Sequence, residues 1–311
     1  MKKLVFLLGL LLSVIAGFSQ NIPRFNPDTI WTVNIDSAIT VQSTRLTAET
    51  FIQEVMNDTS FYKAFRNMKK YSFTAENNIF TYDKKNKVEG SMYSRIYHNN
   101  NGPYKMQVLE KRDNGKIYKK NGKFSLYTVE MFDYIFMNPY NSDFTRPDDA
   151  KGTNESYKDK LKTLIFSPGR PVKGIPFISN KTAIFTPNMR QYYDYTYYRG
   201  TYLDSIPVYI FKVKMKPGLS SWTQDGIMIK ELVTTFDMRN FQILGRSVDM
   251  KYDNLAFDFD VQMNIECSYF GDDQTLLPTK ISYQGNWDHL AKKEERASFL
   301  ILHKGYKIGT K

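Results

Sequence analysis

The sequence predicts a mainly β protein with a few helices, built on a strongly curved antiparallel sheet that forms an incomplete β-barrel. Three observations predict it. Beyond Tyr71 apolar side chains recur at every second position, the period of a strand with one buried face. Turn formers such as Asn121-Gly122, Asp253-Asn254 and Gly271-Asp272-Asp273 punctuate those runs at hairpin spacing. One run, Leu255–Phe270, is too long to lie in a flat sheet.

The chain begins with a segment that reads as a secretory signal (residues 1–19). Lys2 and Lys3 precede an apolar run from Leu4 to Ile15, and Ala16-Gly17-Phe18-Ser19 comes next. That run is too short to cross a bilayer. Residues 20–45 are read as an N-terminal extension and 46–311 as a single curved-sheet domain. The 311 residues carry a formal net charge of +11, and 41% hydrophobic and 15% aromatic residues suffice for a large core, which excludes a disordered chain. A mean hydropathy of −0.48 without a second long apolar run excludes a helical membrane protein. With one cysteine, Cys267, no intramolecular disulfide can form. No cysteine stands just after the leader to carry a lipid, so the expected product is soluble and periplasmic. Cys267 itself is expected as a small buried hydrophobe.

Leu46–Lys70 is the helical stretch. Phe51, Ile52, Val55 and Met56 recur at helical spacing, and Thr50 with Gln53 resembles a capping box. Asn57-Asp58-Thr59-Ser60 interrupts it, and Phe61, Tyr62, Phe65 and Met68 mark a second short helix. A three-stranded meander is expected next: Lys105–Arg112, a turn at Asp113-Asn114-Gly115, Lys116–Lys120, a turn at Asn121-Gly122, then Lys123–Met131. Residues 138–190 hold Pro139, Pro147, Pro168, Pro171, Pro176 and Pro187, a density that forbids a central strand. With one helix near Glu155–Phe166 and many apolar residues, this insertion reads as a flap over something apolar, or as a plug of the core.

The C-terminal third is an up-and-down series: Pro207–Met215, Ile227–Phe236, Phe241–Tyr252, Leu255–Phe270, Leu276–Trp287 and Ala297–His303. In the fourth strand the odd positions Leu255, Phe257, Phe259, Val261, Met263, Ile265, Cys267 and Tyr269 are all apolar or aromatic, and the even ones are mostly polar. Side chains alternate across a strand, so one face is dry and one wet. At roughly 3.4 Å per residue the run spans about 50 Å, beyond the usual strand, and twist must coil it round a core or cavity.

Nothing in the sequence spells catalysis. Hydrolase, zinc-peptidase, phosphate-loop and dinucleotide motifs are missing. His98, His289 and His303 are far apart, without metal-ligand spacing. Asp258 and Asp260 share the wet face of one strand with Glu266; paired carboxylates could serve glycoside chemistry, and solvation explains them equally. Lys105, Lys111, Arg112, Lys116, Lys119, Lys120 and Lys123 form a local basic peak with Tyr104, Tyr118 and Phe124. Export argues against nucleic acid as a partner. An anionic membrane surface, an acidic partner protein, or simple protection of a sheet edge by lysines remain.

A signal peptide, an N-terminal helix pair, a curved antiparallel sheet with an apolar hollow and a flap together resemble the periplasmic carriers of outer-membrane lipoproteins. Phe61-Tyr62-Lys63-Ala64-Phe65-Arg66, Ile206-Pro207-Val208-Tyr209 and Gly285-Asn286-Trp287 are similar to segments of uncharacterised exported proteins of Bacteroidota related to that group. The resemblance implies shelter of acyl chains in the hollow, with lipoproteins or an envelope protein as partners.

The residues and the resemblance lead to one expectation. The protein is a non-enzymatic binder, without cofactor or metal, of a hydrophobic or amphipathic ligand such as a lipid. Phe211, Val213, Met215, Phe257, Phe259, Val261, Met263 and Ile265 are expected to line the cavity. Burial of an acyl chain is worth about 0.8 kcal/mol per methylene, so such a lining needs no polar contact to hold one. Two alternatives are an outer-membrane β-barrel and an envelope-polymer hydrolase using Asp258 and Asp260.

Overall fold

The polar stop at Asn57–Ser60 divides the first apolar stretch into two helices, α1 (Ala48–Asn57) and α2 (Ser60–Asn67). The computed structural model describes residues 33–35, 46–140, 142, 144, 157–171, 181–253, 257–289 and 292–309; the signal segment lies outside them. The capping box on α1 is Thr47 with Thr50, not Thr50 with Gln53: Thr47 Oγ1 accepts the Thr50 amide at 3.3 Å. The helix starts one turn earlier than expected, which leaves Gln53 to donate to Glu49 along the exposed side. Asp58 caps α2, accepting the amides of Ser60 at 3.0 Å and Phe61 at 3.3 Å.

From Tyr71 the chain is mainly β. Among the described residues eleven strands form one open antiparallel sheet: β1 (Val33–Ile35), β2 (Tyr71–Tyr82), β3 (Val88–Asn99), β4 (Lys105–Gly115), β5 (Tyr193–Tyr202), β6 (Ile206–Met215), β7 (Ile229–Asp237), β8 (Ile243–Tyr252), β9 (Phe257–Phe270), β10 (Thr275–His289) and β11 (Lys292–Ile308). Their order is β1-β5-β6-β7-β8-β9-β10-β11-β2-β3-β4, so the expected up-and-down run holds from β6 to β11, and β5, not among the expected strands, extends it by one strand. β2 then pairs with β11 and carries the N-terminal strands outward to β4 at the edge. Coiling is strong. The Tyr202 hydroxyl on β5 donates to the carbonyls of Leu244 on β8 and Cys267 on β9, at 3.4 and 2.9 Å. Three strand spacings in a flat sheet total about 14 Å, more than a tyrosine can bridge. Pro278 lies in β10 beside a break in register between Pro278 and Lys280, where its missing N–H is tolerated.

The expected meander does not form. β4 runs straight through Asp113-Asn114 to Gly115, which pairs with Gly90, and a Cβ at Gly115 would stand 2.1 Å from the Glu89 carbonyl. This glycine serves a close backbone approach, not a turn. Asn121-Gly122 does turn the chain, joining Tyr118 to Phe124 by a single bridge. The chain then enters a helix, α3 (Tyr127–Phe132), continued by a wider turn over Asp133–Met137. The cause is distant in sequence. The Glu295 carboxylate on β11 accepts the Tyr127 and Thr128 amides, both at 2.8 Å, and the Thr128 hydroxyl at 2.6 Å, and so satisfies the helix N-terminus.

Of the proline-rich insertion, helix α4 (Tyr157–Phe166) and the short α5 (Pro187–Arg190) are described; the remaining helix is α6 (Ser221–Gly226). The ring contacts of these helices converge on one face of the sheet. Phe51 of α1 meets the rings of Tyr197, Tyr209, Phe211 and Phe236 on β5, β6 and β7 at 4.9 to 5.8 Å. Phe132 of α3 meets Tyr283 and Phe299 on β10 and β11, each at 4.5 Å. Phe166 of α4 sits on Phe61, Tyr62, Phe65, Phe136 and Phe144. The apolar face therefore looks in at helices, and the sheet is open. A lipid-facing barrel needs closure and the opposite polarity, which overturns the outer-membrane barrel alternative.

Glu295→Ala is expected to lower unfolding free energy by about 1–2 kcal/mol, as loss of a helix cap does. Urea unfolding of the variant checks it, with helix loss confined to residues 127–137 in hydrogen exchange.

Candidate functional site

The register shows how the inner face is assembled. Arg246, Val248, Met250 and Tyr252 on β8 lie opposite Ile265, Met263, Val261 and Phe259 on β9. Those in turn lie opposite Ile281, Tyr283, Gly285 and Trp287 on β10. On the other flank Thr234 of β7 is opposite both Arg246 and Phe211, and Leu232 is opposite Val213. The structure thus brings Phe211, Val213, Phe259, Val261, Met263 and Ile265 onto one face, each 4% exposed or less. Met215 is only half-buried, at the margin by the Lys230 ammonium. Phe257 opens β9 opposite His289; its side chain lies outside the described residues.

At Gly285 the lane across β9 and β10 is narrow. A Cβ there would meet the Val261 Cγ1 at 2.5 Å and the Tyr283 hydroxyl at 2.8 Å. The lane ends in aromatics: Trp287 stacks on Phe259 with centroids 4.8 Å apart and donates its indole N–H to the Tyr283 hydroxyl at 2.6 Å. Trp287 is partly exposed, so it marks the rim.

The cover is joined to the sheet by a small number of polar tethers. Arg246 donates from Nη1 to the Phe166 carbonyl at 2.8 Å, at the end of α4. Lys181 donates to the Tyr252 hydroxyl at 2.8 Å with its ammonium 4.2 Å from that ring's centre. Tyr195 donates to the Ile184 carbonyl at 3.0 Å; within the cover, Tyr62 and Ser167 share a hydrogen bond at 3.0 Å, and Arg190 pairs with Glu49 at 2.6 Å. The described part of the insertion packs against the apolar face with Phe166 and Ile184 buried, as both readings of it expect.

The carboxylates go elsewhere. Asp258 and Asp260 do share a face, but it is the outer one, where Asp260 pairs with Lys251 at 3.4 Å. Burial, and then the charges of Asp288, Asp253 and Glu294, raise the Asp258 carboxyl above its ordinary range. Asp258 stands directly opposite Asp288, and cross-strand pairs such as Lys212–Glu231 and Lys280–Glu266 continue along this solvated side. The arrangement is that of an outer sheet surface on which carboxylates and ammonium groups pair across strands. The basic peak falls on edge strand β4 and the turn after it, with Lys116 paired to Glu89, Arg112 to Glu110 and Lys111 over Tyr118. Cys267 is fully buried, and burial pushes its thiol up, as packing alone requires.

One pairing escaped the sequence. Because β2 lies between β3 and β11, His98 and His303 fall on either side of Phe73. The His98 ring stacks on it at 4.5 Å and His303 meets it edge-on at 5.3 Å. His98 Nδ1 contacts the Tyr104 hydroxyl at 2.8 Å, and His303 Nδ1 the Pro278 carbonyl at 3.2 Å, while both Nε2 atoms are buried without a partner. Burial holds His98 down to about 4, and burial with the neighbouring His98 holds His303 to about 3. Among the described residues no group of three or more His, Cys, Asp or Glu could hold a metal.

No family model matches the chain, and no curated protein matches its sequence. Two solved structures are similar in part. A putative outer-membrane lipoprotein-sorting protein domain from Vibrio parahaemolyticus shares 6% identity over 84% of this chain and 91% of its own, with a TM-score of 0.27. A DUF1329 family protein from Desulfovibrio piger shares 11% identity over 80% of this chain and 90% of its own, with a TM-score of 0.22. At these values the reading of the site rests on the residues alone. No helix among the described residues is long and apolar enough to cross a membrane.

Both histidines are neutral in the fold and bind a proton in the unfolded chain below about pH 6.5. Their stabilising contribution is therefore complete above that pH and is lost as pH falls toward 4, by about 2 kcal/mol each between pH 7 and 5. Urea midpoints at the two pH values are expected to drop for the native protein and to drop less for His98→Gln/His303→Gln.

Proposed function

We propose that the protein is an exported, non-enzymatic carrier that shelters a lipid or another chain-like apolar ligand between the inner face of its sheet and the helical cover. The observation that carries the reading is the contrast between the two contacts of that face. Across β6–β10 the face presents Phe, Val, Leu, Met, Ile, Tyr and Trp side chains with Arg246 and Thr234 among them, and the cover is tethered to it by polar bonds at points such as Phe166, Lys181 and Ile184. Apolar contact is indifferent to partner. A hydrocarbon chain can replace the cover's phenylalanines on such a surface at little net cost, whereas a core of interlocked polar networks would resist exchange.

The ligand gains access only when the cover lifts, because Phe211, Val213, Phe259, Val261, Met263 and Ile265 are closed to solvent in the conformation described. A lipoprotein acyl chain is one occupant of this chemistry, and residues Phe211, Val213, Met215, Phe257, Phe259, Val261, Met263 and Ile265 are proposed to touch it. Export to the periplasm is proposed from the leader alone.

Mature protein titrated with the neutral probe N-phenyl-1-naphthylamine is expected to bind it saturably, to release it to long-chain lipids, and to lose at least tenfold in affinity on Met263→Asp. Native mass spectrometry of protein taken from the periplasm is expected to show a bound lipid mass. A folded protein that is ligand-free and binds no probe contradicts the reading.

A further inference from the structure

A guanidinium in an apolar interior needs a reason. Arg246 is 2% exposed and stands at the inner end of the lane, with Phe61 over it at 5.0 Å and Ile265 opposite it on β9. Its only hydrogen bond among the described residues is the one from Nη1 to the neutral Phe166 carbonyl. Nε and Nη2 find no acceptor. These two nitrogens carry the parallel N–H bonds of one guanidinium edge, the fork that fits both oxygens of a carboxylate. The same chain uses that edge elsewhere: Arg239 grips Asp237 with Nε at 2.9 Å and Nη2 at 2.6 Å.

Beside Arg246, on β7, is Thr234, fully buried, its hydroxyl likewise without a partner. Asp58 is the charge that acts most strongly on the guanidinium, yet its oxygens are taken by Ser60 and the Phe61 amide. Each orphaned donor costs about 1–3 kcal/mol, and an unbalanced buried charge costs more. Three unsatisfied groups on adjacent strands are therefore a place where an anionic acceptor is favoured. From Arg246 to Tyr252, level with Phe259 and Trp287, is six residues of β8, about 20 Å of apolar floor, comparable to an extended long-chain fatty acid.

We infer that Arg246 and Thr234 form a carboxylate-binding point at the closed end of the lane, and that the favoured ligand is a free long-chain fatty acid bound head-in with its tail toward Trp287. The inference rests on the carrier reading and narrows it from any apolar chain to one with a carboxylate head. The fork of Arg246 takes both oxygens, and the Thr234 hydroxyl donates to one of them.

Competition of oleate and of oleyl alcohol against N-phenyl-1-naphthylamine tests the two ideas separately. Oleate is expected to bind at least tenfold more tightly than the alcohol, with that gap closing in Arg246→Gln and narrowing a few-fold in Thr234→Val. Equal affinities in the native protein overturn the carboxylate point and leave the carrier reading standing; displacement by neither removes both. Should Arg246→Gln not fold, carbon-13 NMR of carboxyl-labelled oleate on the native protein still decides. A bound carboxylate gripped by a guanidinium titrates below its free value, and one titrating above it, as a merely buried acid does, overturns the inference.

Discussion

The face of β5–β11 that carries Phe211, Phe236, Phe259, Met263, Tyr283 and Phe299 cannot stand in water, and covering it dictates the rest of the architecture. Two short helices and α3 bring Phe51, Phe61, Phe65 and Phe132 down onto it, and the proline-rich insertion adds Phe166 above them. The contacts are ring against ring at about 4.5–6 Å, which gives each aromatic large area and a choice of partners. Directional bonds are few and specific. Glu295 fixes the start of α3, Asp58 the start of α2, and Arg246 the end of α4. The cover is thus localised by a handful of polar points and held down mostly by non-directional burial.

That division explains how one fold can be ordered and still exchange partners. Buried hydrocarbon contributes in proportion to area and not to identity, so the same face accepts a helix or a chain of methylenes. The polar tethers define where the cover returns. The partly exposed Trp287 places the accessible end of the lane on the side away from Arg246. The outer face obeys another logic, with acidic and basic side chains alternating across strands and none of them brought into a groove.

Much of this was legible in the residues. The alternation along Leu255–Phe270 and the short turns of the C-terminal third are local signals, and they specified β6 to β10 to within two residues at each end, while β11 runs five residues beyond the expected Ala297–His303 on either side. The stop at Asn57–Ser60 did the same for α1 and α2. The failures were non-local. Asp113-Asn114-Gly115 has the composition of a turn, yet Gly115 lies in a strand because Glu89 leaves no room for a side chain there. Lys123–Met131 alternates well enough for a strand, and it becomes in part a helix because a carboxylate 168 residues away caps it. Nothing local marks Arg246, Thr234 or the His98–Phe73–His303 stack, since strand pairing alone decides which of those groups meet.

The central claim is that ligand chains lie along the inner face of β9 and β10, and Trp287 reports on that place. The chain has three tryptophans, and Trp222 is 88% exposed, so Trp31→Phe/Trp222→Phe leaves Trp287 as the only indole. Bromine quenches indole fluorescence only at contact range, and 16-bromohexadecanoate carries it at the far end of the chain. Titration of this variant is predicted to quench Trp287 saturably, in step with displacement of the naphthylamine probe. Displacement of the probe with Trp287 left bright would place the ligand elsewhere and contradict the account.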